Sequence, residues 1–171
     1  MDKSIYKAKN NNINMSNIAR IFAIFEKING RKLEMNKYDD RLNLQKLTYI
    51  LQKAGLNFGY RFTWYVKGPY SPPLASDAFD YEERGIKENI ELSQTEQKIA
   101  ENLKNKFGDG VTNPDKLELY ASLLFLSSTE SISLSDEERL SERLVSLKPW
   151  FEKEQAKQAI RKLRDSGLFS K

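Results

Sequence analysis

Cysteine and histidine are both absent from this chain of 171 residues, and the two absences remove most familiar catalytic chemistries. Without cysteine there are no disulfides, no thiolate metal sites and no cysteine nucleophile. Without histidine the Ser-His-Asp triad, the usual general base near neutral pH and the commonest zinc ligand are gone. Carboxylate-only metal sites and Ser-Lys chemistry stay open. Long apolar runs are missing too. The longest, over 117–126, is interrupted by Glu118 and Ser122 and suits a buried helix better than a membrane span of roughly 20 apolar residues. The opening MDKSIYKAKNNNINM has no apolar core of a secretory signal. The expectation is a cytoplasmic protein of about one domain, with no enzymatic activity, no cofactor, no metal and no membrane partner.

What is present is uneven in charge. Residues 1–67 carry 13 Lys/Arg against 5 Asp/Glu, a net +8, whereas residues 68–101 carry 3 against 8, a net −5. A basic first part followed by an acidic middle suits nucleic acid or a charged protein partner, and a solvated surface explains it equally.

The patterning predicts a mainly α fold with a small β-hairpin. Residues 1–15 are Asn- and Lys-rich and read as a flexible tail. Ser16 then stands as an N-cap, with Ile18, Ile21, Phe22, Phe25 and Ile28 on one helical face and Gly30 as the stop. A second helix is expected over 40–54, capped by Asp40, with Leu44, Leu47 and Leu51 as its stripe and Gly55 closing it. Over 60–67, Tyr60, Phe62, Trp64 and Val66 alternate with Arg61, Thr63, Tyr65 and Lys67, a strand pattern ending at a Gly68-Pro69 turn. Residues 86–92 are its expected pairing edge. Ser71-Pro72 reads as N-cap and first helical residue of a helix to Glu83, with Leu74, Ala75, Ala78 and Phe79 inward. Ser93 and Glu96 form a capping box for a helix carrying Ile99, Leu103 and Phe107. Gly108-Asp109-Gly110 then divides a helical domain over 16–110 from a C-terminal helix-turn-helix-like bundle over 111–171. That bundle comprises a helix from Asn113-Pro114, one capped by Ser135 with Glu138, and one over 149–166.

Candidate chemistry is sparse. Pro114-Asp115 with Glu96-Gln97-Lys98 matches a nuclease carboxylate-lysine set only in reversed order and on a helix. The pair Asp39-Asp40 is better read as a helix start, and no glycine-rich loop leads a Lys-Ser/Thr pair. The densest segment runs from Phe62 through the Gly68-Pro69-Tyr70-Ser71-Pro72-Pro73 corner to Asp77. Pro69, Pro72 and Pro73 restrict the backbone there. Its aromatics are either core around a shaped corner or a presented surface; the candidate partner-binding residues are Trp64, Tyr65, Gly68, Pro69, Tyr70, Ser71 and Asp77.

Leu44-Gln45-Lys46-Leu47-Thr48-Tyr49, followed by the aromatic strand and Gly68-Pro69-Tyr70-Ser71-Pro72, resembles the pattern of Panacea-like domains and a related set of small bacterial and archaeal proteins. The resemblance covers about residues 18–107. It implies a binding module, because Panacea proteins act as antitoxins that contact toxins directly and as proteolysis adaptors; it implies no catalytic residues.

Two functions follow as expectations. The first is a protein-binding module, antitoxin- or adaptor-like, acting by stoichiometric contact. The acidic helix with Asp77, Asp80, Glu82 and Glu83 favours a basic toxin as partner, and a homodimer is compatible. The alternative is a DNA-binding regulator of winged-helix or helix-turn-helix type. Its nucleic-acid-binding residues would be Lys153, Lys157, Arg161 and Arg164, a basic stripe on the last helix; the same stripe also fits a solvated face.

Overall fold

The computed structural model describes residues 3–86 and 89–169, with side chains from Met15 onward. Among the described residues there are seven α-helices, one 3-10 turn and a two-stranded antiparallel hairpin. The helices are α1 (Lys3–Asn29), α2 (Tyr38–Lys53), α3 (Pro72–Glu83), α4 (Gln94–Phe107), α5 (Pro114–Thr129), α6 (Glu137–Leu147) and α7 (Lys153–Asp165), and the strands are β1 (Thr63–Tyr65) and β2 (Gly68–Tyr70). No helix among the described residues is long and apolar enough to cross a membrane.

Helices α2 and α5 lie at the centre and pack on each other. Positions 43–51 of α2 and 117–124 of α5 are buried without a break. A helix enclosed on all sides must bury its polar residues along with its apolar ones, and this one feature generates the site described below. The core runs as one cluster from Ile18 of α1 to Leu163 of α7, so the 108–110 region, a 3-10 turn at Gly108–Val111, lies within a continuous core. There the Gly110 backbone touches the Tyr120 ring, where a Cβ would stand 2.9 Å from Cε2.

Several expectations need correction. The tail over 1–15 is helical from Lys3 onward; Met1 and Asp2 lie outside the described residues. Extending a helix costs far less than nucleating one, and neither Pro nor Gly stands between Lys3 and Asn29, so Ser16 is a mid-helix residue. Asp40 is no N-cap. Lys37 holds that position, and buried Asp40 accepts from Arg31 Nη1 at 2.8 Å, Arg31 Nη2 at 2.5 Å and Glu34 N at 2.9 Å. Ser135 yields the cap of α6 to Asp136, whose carboxylate accepts from Arg139 N. The last helix starts only at Lys153 because Pro149 and Trp150 make a turn. Phe79, expected inward, is exposed. The capping box of Ser93 with Glu96 and the Asn113-Pro114 start are as the sequence predicts.

The strand over 60–67 shrinks to three residues, and its partner is β2 rather than 86–92, whose described residues form no strand. Thr63 pairs with Tyr70, Trp64 with Pro69 and Tyr65 with Gly68. The turn is therefore Val66-Lys67, and Gly68-Pro69 belongs to the returning strand. A two-stranded ribbon has only edge strands, which is where a proline is tolerated. Tyr60 leaves the ladder because a side chain satisfies its backbone. Gln52 Nε2 donates to Tyr60 O at 2.9 Å, and Gln52 Oε1 accepts from Tyr60 N at 3.1 Å.

Candidate functional site: a hairpin tip over a buried lysine cluster

The hairpin is anchored to α2 at both ends by glutamine amides. Gln45 repeats what Gln52 does: Nε2 donates to Ser71 O at 3.0 Å, and Oε1 accepts from Ser71 N at 2.8 Å. The two glutamines are seven residues apart, two helical turns, so they share a face. Each uses both ends of its amide to replace the pairing that an isolated strand end lacks. Between them Lys46 Nζ donates to Pro69 O at 2.9 Å. The Leu-Gln-Lys-Leu run on α2 and the Gly-Pro-Tyr-Ser-Pro corner are thus two halves of one hydrogen-bonded unit.

Beneath the hairpin lies a charged cluster. Glu118 of α5 accepts from Lys148 Nζ at 2.8 Å, and its other oxygen is 3.8 Å from Lys67 Nζ. Lys148 is fully buried. It also donates to Val66 O at the hairpin turn and lies 5.0 Å from the ring centroids of both Trp64 and Trp150. The ammonium therefore joins the hairpin tip to the turn before α7 through two cation–π contacts. Burial brings Lys46 down to about 8; Glu118 opposes the shift, and Lys148 and Lys67 add to it. Lys148 is lowered as well, mainly by burial. An amine of that basicity has nucleophilic character, but Lys46 is 2% exposed and roofed by Pro69, so it is not presented to a substrate. Its role is to hold the hairpin.

Gly68 marks the closest approach. Its φ is +94°, and a Cβ there would lie 2.9 Å from Ser122 Oγ and 3.3 Å from Lys46 Cε. The Ser122 and Ser71 hydroxyls are buried and without a hydrogen-bond partner. Ser71 stands at the N-cap position of α3, yet its hydroxyl makes no capping bond; its backbone, gripped by Gln45, does the positioning.

The seven residues read as partner-binding fall into two groups. Tyr65 is exposed, Trp64, Tyr70 and Asp77 are half-buried, and Gly68, Pro69 and Ser71 are buried beneath them. Tyr65 and Tyr70 share a hairpin face, their centroids 5.2 Å apart, while Trp64 turns to the other face against Phe125 at 5.7 Å. Asp77 accepts from the Tyr60 hydroxyl at 2.8 Å, which ties α3 to the start of the hairpin. Sequence reasoning missed Val66 and Trp150. With Tyr65 they make up three of the five large apolar residues that are exposed among the described residues, at 58% for Tyr65, 71% for Val66 and 50% for Trp150. It also missed Gln45, Gln52, Lys46, Glu118 and Lys148 as anchors. For Gln45 and Lys46 the signal was their place between Leu44 and Leu47 of the apolar stripe; for Trp150 there was none, because only the fold brings it to the hairpin.

The basic stripe of α7 faces α6. Lys153 pairs with Glu138 and Glu142, Lys157 with Glu138, Arg161 with Glu137 at 2.9 Å, and Arg164 with Glu137 at 2.7 Å. The two lysines bring the Glu138 carboxyl down to about 2. All four cations therefore have carboxylate partners on the neighbouring helix. No family model, curated protein or solved structure matches the chain.

Proposed function

We propose that the protein is a non-enzymatic binding module, antitoxin- or adaptor-like, that contacts another protein through the hairpin tip. The observation that carries this reading is the exposed set Tyr65, Val66 and Trp150, with Tyr70 beside it, held on a rigid base. Aromatic side chains at the centre of a patch dominate binding energy. A backbone fixed by Gln45, Gln52, Lys46 and Lys148 loses little freedom on docking. The regulator alternative has less behind it, since a recognition helix whose cations are paired to Glu137 and Glu138 meets phosphates only after those pairs separate.

The test is stoichiometric complex formation. Full-length protein purified from its native host is expected to carry a protein partner. Tyr65→Ala with Trp150→Ala, at unchanged melting temperature, is expected to cut recovery of that partner at least about tenfold. Equal recovery by the folded double variant overturns the proposal, and so does turnover of a substrate by the purified chain.

A further inference from the structure

Three ammonium groups, Lys46, Lys67 and Lys148, gather under and beside the hairpin tip around one carboxylate, Glu118. The surplus is positive, and it stands at the rim of the aromatic patch. Lys148 is committed to Glu118 and Val66 O, and Lys46 to Pro69 O. Lys67 differs. Its side chain is 48% exposed, its contact with Glu118 is a long 3.8 Å, and its ammonium lies 5.7 Å from the Trp150 centroid. It is a cation on the aromatic surface with only part of a counter-charge.

The acids that suggested a basic partner are elsewhere and partly engaged. Asp77 accepts from Tyr60, and Glu82 Oε1 accepts from Met35 N at 2.8 Å. We infer that the partner segment docking on the hairpin tip is acidic, with an Asp or Glu side chain meeting Lys67 beside Val66 and Trp150. This rests on the binding reading above and reverses the expectation of a basic partner. A carboxylate arriving there supplies the charge that Glu118 alone does not, beside the Trp150 ring, and such charge complementarity favours an acidic partner over a basic one. A lysine or arginine at the same place meets three like charges against one carboxylate. The flanking Tyr65, Val66 and Trp150 call for aromatic or aliphatic neighbours on the partner segment, so its chemistry is acidic and apolar together.

The experiment is selection of random displayed peptides on the full-length protein, followed by tryptophan-fluorescence titration of the selected peptides. The expected winners carry Asp or Glu next to aromatic or aliphatic residues. Lys67→Gln is expected to weaken them by about tenfold or more. Changing the peptide's Asp or Glu to the amide is expected to cost the same, with no further loss when the two changes are combined. Basic or neutral winners indifferent to Lys67→Gln but lost on Trp150→Ala overturn the acidic assignment and leave the surface standing. Winners indifferent to both variants overturn the surface as well. Loss of binding on amidating the peptide's C-terminus, rather than its side chains, overturns the side-chain source. Oligothymidylate binding with the same Lys67 dependence overturns the protein partner in favour of nucleic acid.

Discussion

Gly68 faces Ser122 so closely that a methyl group on its α-carbon would stand 2.9 Å from Ser122 Oγ. This contact is where β2 meets α5, and two separate restraints meet in one residue. The φ of +94° is strained for any side chain whatever the space, and the space itself is filled.

Gly68→Ala is therefore expected to lower stability by about 1–3 kcal/mol, measured by urea unfolding. Ser122→Ala alone removes a hydroxyl that has no hydrogen-bond partner and is expected to change stability little. Combining the two should recover the steric share of the Gly68→Ala loss and leave the conformational share. Recovery to wild type would show that the backbone at Gly68 carries no strain; no recovery would show that Ser122 is not the obstacle.

Lys46 gives a pH signature. Burial lowers it from 10.5 to about 8, so between those values the unfolded chain binds the proton and the folded chain releases it. Stability from this group thus rises with pH across that window, by up to about 1.4 kcal/mol per unit; below about pH 8 both states are protonated and the full cost of burying the charge is present. Comparing unfolding free energies of wild type and Lys46→Met from pH 7 to 10 should show wild type gaining on the variant. Parallel curves would mean that Lys46 keeps its ordinary basicity. Above pH 10 wild type and variant should decline together, because burial raises Tyr49 and Tyr60 and their ionisation favours the unfolded chain.

The paired stripe on α7 yields a third expectation. Glu137→Gln with Glu138→Gln frees Lys157, Arg161 and Arg164 from their α6 partners and leaves Lys153 with Glu142 alone. The double variant should retard random duplex DNA at moderate salt where wild type does not, with a steep dependence on salt. Equal retardation of wild type would restore the regulator reading, since the stripe would then work without leaving its partners.

Local signals carried much of the fold. The Ser93 capping box, the Asn113-Pro114 start and the Gly30 and Gly55 stops, both at positive φ, follow from hydrogen bonds and steric limits spanning only a few residues. The apolar stripes of α1, α2 and α4 were legible for the same reason. Local reading failed at Asp40, which has good cap chemistry but whose partner Arg31 is reached only by folding the chain between α1 and α2 back on itself. It failed at 60–67 because alternation reports a face that packs, not a neighbour that pairs: Tyr60 is buried and alternates correctly, yet Gln52 satisfies its backbone.

Composition alone set the absence of histidine and cysteine chemistry, and the sequence placed a glycine where the backbone needs positive φ and grouped the aromatics of the hairpin. The tertiary structure decided what the buried polar residues do. Lys46 and Pro69 are 23 residues apart, Glu118 and Lys148 are 30, and Val66 and Lys148 are 82. Enclosing α2 and α5 on every side removes water from their polar groups, and Gln45, Lys46 and Glu118 find partners on the elements that pack against them, whereas the Ser122 hydroxyl finds none. That choice depends on which helices meet, so the polar anchors and the surface they support became visible only in the folded chain.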